Sequence, residues 1–326
     1  VNLYEDFSAP SQIRKATWIE KLTKKQIKGF WHKTDKDADQ IINSWKRFIG
    51  DRLSNMRKAD YKLEGCEDGA KNNVYFLRSY NHSATSNGCP GRLYCHTSLQ
   101  SLPRPMRNLL IEDTCSDIDM CNAAPTILCW LAMTFKINHL NLKSYRDNRK
   151  SWFRQAAMDY GWTTRYCKDF VIRHMFNAKP DDRIKNKDFK GLVNEIYNIK
   201  KELYKRPELS WVLQHCTCEN PLGTFVKTII FAIEAKLTSV CVKHAQNNLK
   251  WKIQAIVHDG FNPVGKFNNE KDKDPLDEFF YICNQLCPGI DMKWAWKDFD
   301  MYFYDKKTGD LLPDLNDPER LSLIHI

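Results

Sequence analysis

Two segments far apart in the chain end in the same way. Residues 116–128 read SDIDMCNAAPTIL and residues 255–261 read AIVHDGF, and each carries a short strand-like run that stops at an aspartate, Asp119 or Asp259. A fold that brings the two strand ends together sets two carboxylates side by side, and such a pair can hold two divalent ions where one carboxylate cannot. The pairing is long-range, so the residues between must fold as a unit inserted between the two halves of a sheet. Asp117 lies two residues before Asp119 and so points from the same face of the strand. Taken alone, either aspartate reads more readily as a turn former or a helix cap.

The rest of the chain can support such a sheet. Its 326 residues are 42% hydrophobic and 12% aromatic, enough for a substantial core in one large or two modest domains, and disorder is not expected. Lys and Arg number 50 against 40 Asp and Glu, a formal charge of +10, with much of the excess in residues 1–60 and 143–205. That distribution suits a polyanionic partner. The 12 cysteines are scattered and none forms the Cys-x2-Cys pairs of a closed zinc site, so reduced thiols in a cytosol-like compartment are expected. No apolar run reaches the roughly 18 residues of a membrane helix, and a soluble intracellular protein of cytoplasm or nucleus is expected. The chain opens on Val1, and residues 321–326 read as a non-native tail, so a fragment of a longer open reading frame is expected.

Periodicity places the elements. Residues 10–62 repeat apolar side chains at three- and four-residue spacing and predict two basic amphipathic helices. Residues 73–80 (NVYFLRSY) and 91–96 (GRLYCH) alternate and predict a hairpin-like strand pair. Strand character returns at 114–120. Asn122 stands in the N-cap position of a helix over 123–135, with Pro125 in its first turn. Residues 142–215 read as a basic, aromatic helical subdomain broken near Pro180 and Pro207. A helix of about 25 residues then covers 225–248, followed by a strand ending at His258-Asp259, a helix over 275–287 and strands at 291–296 and 300–304.

Phosphoryl transfer to a hydroxyl needs divalent ions that neutralise a triphosphate and lower the pKa of the attacking oxygen, and a two-aspartate site is enough for magnesium, which keeps water and substrate oxygens in its shell. The surrounding motifs agree with that chemistry. SDIDMCNAAPTILCWL resembles the first catalytic motif of family A DNA polymerases, a strand ending in an essential aspartate followed at once by a helix. AIVHDGF resembles the third motif of that family, also found in single-subunit phage-type RNA polymerases. Upstream, GRLYCHTSLQSLPRPMR (91–107) resembles the segment that lies on the primer-template, and RYCKDFVIRHMFN (165–177) resembles the fingers helix, with Lys168 eight residues before the aromatic Phe176. The four stand in the family's order. DMCNAAP (119–125) is similar to the Asp-x-x-Asn plus Pro form of this motif in the polymerases of virophages and large DNA transposons.

The resemblance implies an α+β right-hand polymerase with an antiparallel-sheet palm, helical fingers and a short thumb-like region. Its expected divisions are a thumb-like 1–71, palm 72–135, fingers 136–215, and palm with the His-Asp motif 216–320. It implies magnesium, with manganese as substitute, held by Asp119 and Asp259 with Asp117 in reserve, and His258 at the primer terminus. Lys168 and Arg165 would meet the incoming nucleotide, Phe176 would stack on the nascent pair, and Arg92, Gln100, Arg104 and Arg107 would contact primer or template. The bland alternatives are a solvated lysine, a core phenylalanine, a hydrogen-bonded histidine and surface polar residues. DNA primer-template, nucleoside triphosphates and a helicase on the rest of a longer chain are the implied partners.

Three departures from the family stand out. Asn177 replaces the glycine after the fingers aromatic, Arg104 follows Pro103 directly, and Ala124 stands five residues after Asp119, where DNA-making members carry a sugar-excluding glutamate. A small residue there favours relaxed sugar choice, and with it an RNA polymerase or primase on the same palm. A basic nucleic-acid-binding module without catalysis is the alternative of a different class.

Overall fold

The computed structural model describes residues 2–6, 39, 42–43, 75–79, 81–84, 90–94, 99–102, 104–176, 184–216, 220–267 and 274–299. The helices expected over 10–62, the strand at 300–304 and the tail at 321–326 lie outside the described residues, apart from three positions of the first segment. The elements that position the site are helix α1 (Arg104–Ile111), strand β5 (Asp117–Met120), α2 (Ala123–Thr134), α3 (Leu140–Asp147), α4 (Arg149–Tyr160), α5 (Thr164–Phe176), α6 (Lys187–Tyr204), a 3-10 helix (Pro207–His215), α7 (Pro221–Asn247), β6 (Ile253–Val257), β7 (Gly260–Pro263), α8 (Asp274–Leu286) and β8 (Trp294–Lys297). Four earlier strands are β1 (Asn2–Asp6), β2 (Tyr75–Ser79), β3 (Asn81–Ala84) and β4 (Pro90–Tyr94).

The main sheet is antiparallel in the order β6-β7-β5-β8 and, with helices packed around it, makes the chain α+β. In β5 the two-residue period decides everything: Ile118 and Met120 are buried, while Asp117 and Asp119 face the other way and are partly exposed. On β8, Trp296 lies opposite Ile118 and Trp294 opposite Met120. Trp294 forms an aromatic layer with Phe261 and Phe279 at ring separations of 5.6–5.8 Å, Trp296 stacks on Phe267 at 5.0 Å, and each such burial contributes about 1.5–3 kcal/mol.

Helix α7 is the axis of the helical layer. Its 27 residues bury Phe225, Ile229, Ile230, Leu237 and Val242, and it packs on α2, α5, α6, α8 and strand β4. Pro221 opens it, and the Asn220 side chain accepts from the Gly223 amide at 3.2 Å. Gly223 is required by close approach: a β-carbon there would stand 1.8 Å from the Phe176 carbonyl oxygen at the end of α5. Asn186 caps α6 in the same way, accepting from Asp188 and Phe189 amides at 2.9 and 3.1 Å.

One expectation from the sequence is corrected. The segment around 75–79 does not pair with the segment around 90–94. β2 pairs with the N-terminal strand β1, and β4 pairs with β3, whose sequence NHSA lacks the apolar alternation that marks a strand. Asn122 does stand in the N-cap position of α2, its carbonyl accepting from the Thr126 amide at 2.9 Å. It adopts a left-handed conformation (φ 52°, ψ 41°) with no side-chain cap bond, because its amide is engaged with Arg146 and Arg149.

Candidate active site

The aspartates meet at the seam between β5 and the β6–β7 hairpin. Val257 pairs with Gly260, leaving His258 and Asp259 as the two turn residues, and Asp119 pairs across the sheet with Gly260. The Met120 amide donates to the Asp259 carbonyl at 3.1 Å, which locks the turn to the end of β5. His258 holds φ 57°, a left-handed conformation that costs a non-glycine residue about 1–2 kcal/mol. Strain of that kind gathers where a turn must aim a functional group.

Gly260 lets the carboxylates approach. A β-carbon at this position would fall 2.2 Å from Asp119 Oδ1 and 2.3 Å from the Ile118 carbonyl oxygen. Asp119 is held at about pKa 7, far above the usual carboxylate range, first by burial and then by the charge of Asp259; Lys297 and its hydrogen bond pull the other way. Lys297 Nζ pairs with Asp119 Oδ2 from β8. Asp117 accepts from Asn262 Nδ2 at 3.0 Å on the same face.

Cations complete the surroundings. Lys168 projects from α5 with an exposed side chain, yet its pKa is lowered, first by the protein packed around its ammonium and then by Arg149 and Lys297, while Asp259 and Asp119 oppose the shift. Those four charges therefore all act on Lys168. His258 is pushed down to about 4, first by burial and then by Arg92, so it is a neutral imidazole near neutral pH.

Other expected residues take varied positions. Arg92 is engaged inside the protein: its Nε lies 2.5 Å from Glu234 Oε1, its Nη2 donates to Oε2 at 2.9 Å, and its guanidinium sits 3.9 Å above the Phe231 ring. Glu234 is fully buried on α7, and burial raises it to about 8 despite Arg92. Arg92 is partly buried and Gln100 and Arg107 are buried; Arg104 is the first residue of α1. Phe176 ends α5 with its ring 5.7 Å from Phe231 in an edge-to-face contact. Arg165 is exposed on α5, and Ala124, second residue of α2, packs partly against the core.

Three participants escaped the sequence reading. Lys297 falls on the aspartates' face because Trp294 and Trp296 point inward, a pattern readable in WAWK once β8 is paired with β5. Glu234 is a lone acid in the apolar run IIFAIEAKL, which signals a buried counter-ion. Arg149 has no marker in sequence beyond its charge.

Among the described residues, no group of three or more His, Cys, Asp and Glu side chains is placed to hold a metal. The donor chemistry of the aspartates nonetheless fits a hard divalent ion, since carboxylate oxygens suit magnesium and manganese and substrate oxygens normally complete the shell. The described cysteines are free thiols, and no helix among the described residues is long and apolar enough to cross a membrane.

Fold and site define an α+β protein with two crowded carboxylates beneath a cluster of cations. No protein-family model and no curated protein matches the chain. Among solved structures it is similar to the POL domain of Pol1 from M. smegmatis in complex with DNA primer-template and dNTP, at 10% sequence identity and a TM-score of 0.44. The match covers 81% of this chain and 52% of that one, so the chain spans about half of that structure. A likeness of this extent assigns neither family nor activity.

Proposed function

We propose that the chain is a template-directed nucleotidyltransferase, a family A-like DNA polymerase that extends the 3′-hydroxyl of a primer. The observation that carries this reading is the meeting of Asp119 and Asp259, remote in sequence, at one sheet seam under Lys168. Asp119 and Asp259 would hold the divalent ions, with Asp117 on the same face. When bound, magnesium or manganese supplies charge neutralisation at the triphosphate and a lowered pKa at the attacking hydroxyl. The raised pKa of Asp119 supports this assignment, because two carboxylates crowded together gain from a cation.

The chain's own groups then divide the remaining work. Lys168 is a point charge for the triphosphate, with Arg165 on the same helix, and neutral His258 is a hydrogen-bonding group for the primer terminus. Phe176 offers a ring to the nascent pair. The sheet and α7 would form the palm and α3 to α6 the fingers. The Asp-x-x-Asn motif followed by Pro125 supports replication of a virus-like or transposon-like element as the setting, with a helicase as the partner on a longer chain. Ala124 favours a second reading, a polymerase or primase that accepts ribonucleotides, because a methyl side chain presents no barrier to a 2′-hydroxyl. Incubation with magnesium, a labelled primer-template and either deoxy- or ribonucleotides tests both readings: no primer growth in any reaction would sink them together.

A further inference from the structure

We propose that Arg149, held by the left-handed Asn122, is a second phosphate-binding residue of this site and receives the triphosphate of the incoming nucleotide beside Lys168. The inference rests on the nucleotidyltransferase reading above.

The geometry begins at Asn122, which links the end of β5 to α2. Its left-handed backbone (φ 52°) turns the side chain away from α2 and toward the junction of α3 and α4, where Nδ2 donates to the Arg146 carbonyl at 3.2 Å. The side-chain oxygen accepts from Arg149 Nη1. One amide thus ties the guanidinium to the strand that carries Asp119. The Phe153 ring supports the other side, with its centroid 5.3 Å from the guanidinium carbon.

The charges separate a binding role from a merely structural one. Arg146, three residues earlier, is neutralised by Asp147 at 2.7 Å and Asp291 at 3.7 Å. Arg149 meets a neutral amide instead, and no carboxylate pairs with it or with Lys168 among the described residues. A guanidinium so held keeps its full charge and further donors in a planar fork suited to phosphate oxygens. Arg149 also opens α4, where a cation runs against the helix dipole, so helix stability does not explain it. Arg149 is the leading charge that lowers the pKa of Lys168, so the two cations repel each other beside the aspartate pair. A bound polyanion such as a triphosphate relieves that repulsion.

The test pairs equilibrium binding of a deoxynucleoside triphosphate with single-turnover primer extension on the full chain. Arg149→Ala is expected to weaken the nucleotide, as Kd and as KM, by about 10-fold to 100-fold while primer-template affinity holds. Arg149→Lys should recover part of the loss, and Asn122→Ala should show a smaller loss in the same direction. Should Arg149→Ala fail to fold, Arg149→Gln keeps a donor to Asn122 without the charge and gives the same comparison. Extension by the wild type with an unchanged nucleotide KM in these variants overturns the role of Arg149 and leaves the polymerase reading intact. Arg149-dependent nucleotide binding without any extension by the wild type overturns the catalytic reading and supports the phosphate site.

Discussion

Gly260 lies so close to Asp119 that a β-carbon on it would stand 2.2 Å from the Asp119 carboxylate. The residue after the turn aspartate is therefore the space into which the partner aspartate fits. Gly260→Ala must push Asp119 or the β5 backbone aside. The expected result is a loss of stability of about 1–3 kcal/mol in urea denaturation, with a collapse of metal-dependent extension. An alanine variant with full stability and full activity would show that the two carboxylates do not work from this arrangement.

The Arg92–Glu234 pair predicts a different signature. Glu234 is buried against the Arg92 guanidinium, so Glu234→Ala removes a buried charge-assisted contact and opens a cavity, which should cost about 3–5 kcal/mol. Replacing both residues with apolar ones, as in Arg92→Met with Glu234→Leu, should regain most of that loss. Denaturation midpoints of the single and double variants decide it; additive losses would mean that the pair is not coupled.

Lys200 gives a pH dependence with a definite sign. It is 1% exposed, donates to the His174 carbonyl at 2.7 Å, and burial lowers it to about 8. The unfolded chain, with a lysine near pKa 10.4, binds more protons than the folded one between pH 8 and 10.4. Stability from this group therefore rises with pH across that window, by roughly 3 kcal/mol in all, and is flat below it. Lys200→Met should remove this component. The check is the difference in unfolding free energy between wild type and variant at pH 7, 8, 9 and 10, and an unchanged difference across the series contradicts it.

Ala124 predicts weak sugar discrimination. The ratio of deoxy- to ribonucleotide incorporation, each as kcat/KM, should fall below ~10⁴, and Ala124→Glu should raise it. A wild-type ratio above that value would remove the argument from the missing glutamate.

How much of this was legible beforehand depends on the kind of signal. The alternation Asp117-Ile118-Asp119-Met120 announces both a strand and the face its acids occupy, and the structure keeps that face. The long apolar run of α7 and the stop at His258-Asp259 are local patterns, and both elements appear where periodicity put them. Pairing partners were not legible. NHSA has no apolar alternation, so β3 was invisible and β4 was matched to the wrong strand. Contacts between distant side chains were also hidden: nothing near Arg92 in sequence points to Glu234, and nothing in Asn122 distinguishes a helix cap from an anchor for Arg149. Those roles depend on tertiary approach.

The central claim is that Asp119 and Asp259 together drive metal-dependent nucleotide addition. The most direct test is magnesium-dependent extension of a labelled primer on a DNA template by the wild type and by Asp259→Asn, with primer-template binding measured on both. The account predicts extension by the wild type and none by the variant, with DNA binding nearly unchanged. Normal extension by Asp259→Asn, or tight DNA binding by a wild type that adds no nucleotide, would contradict it.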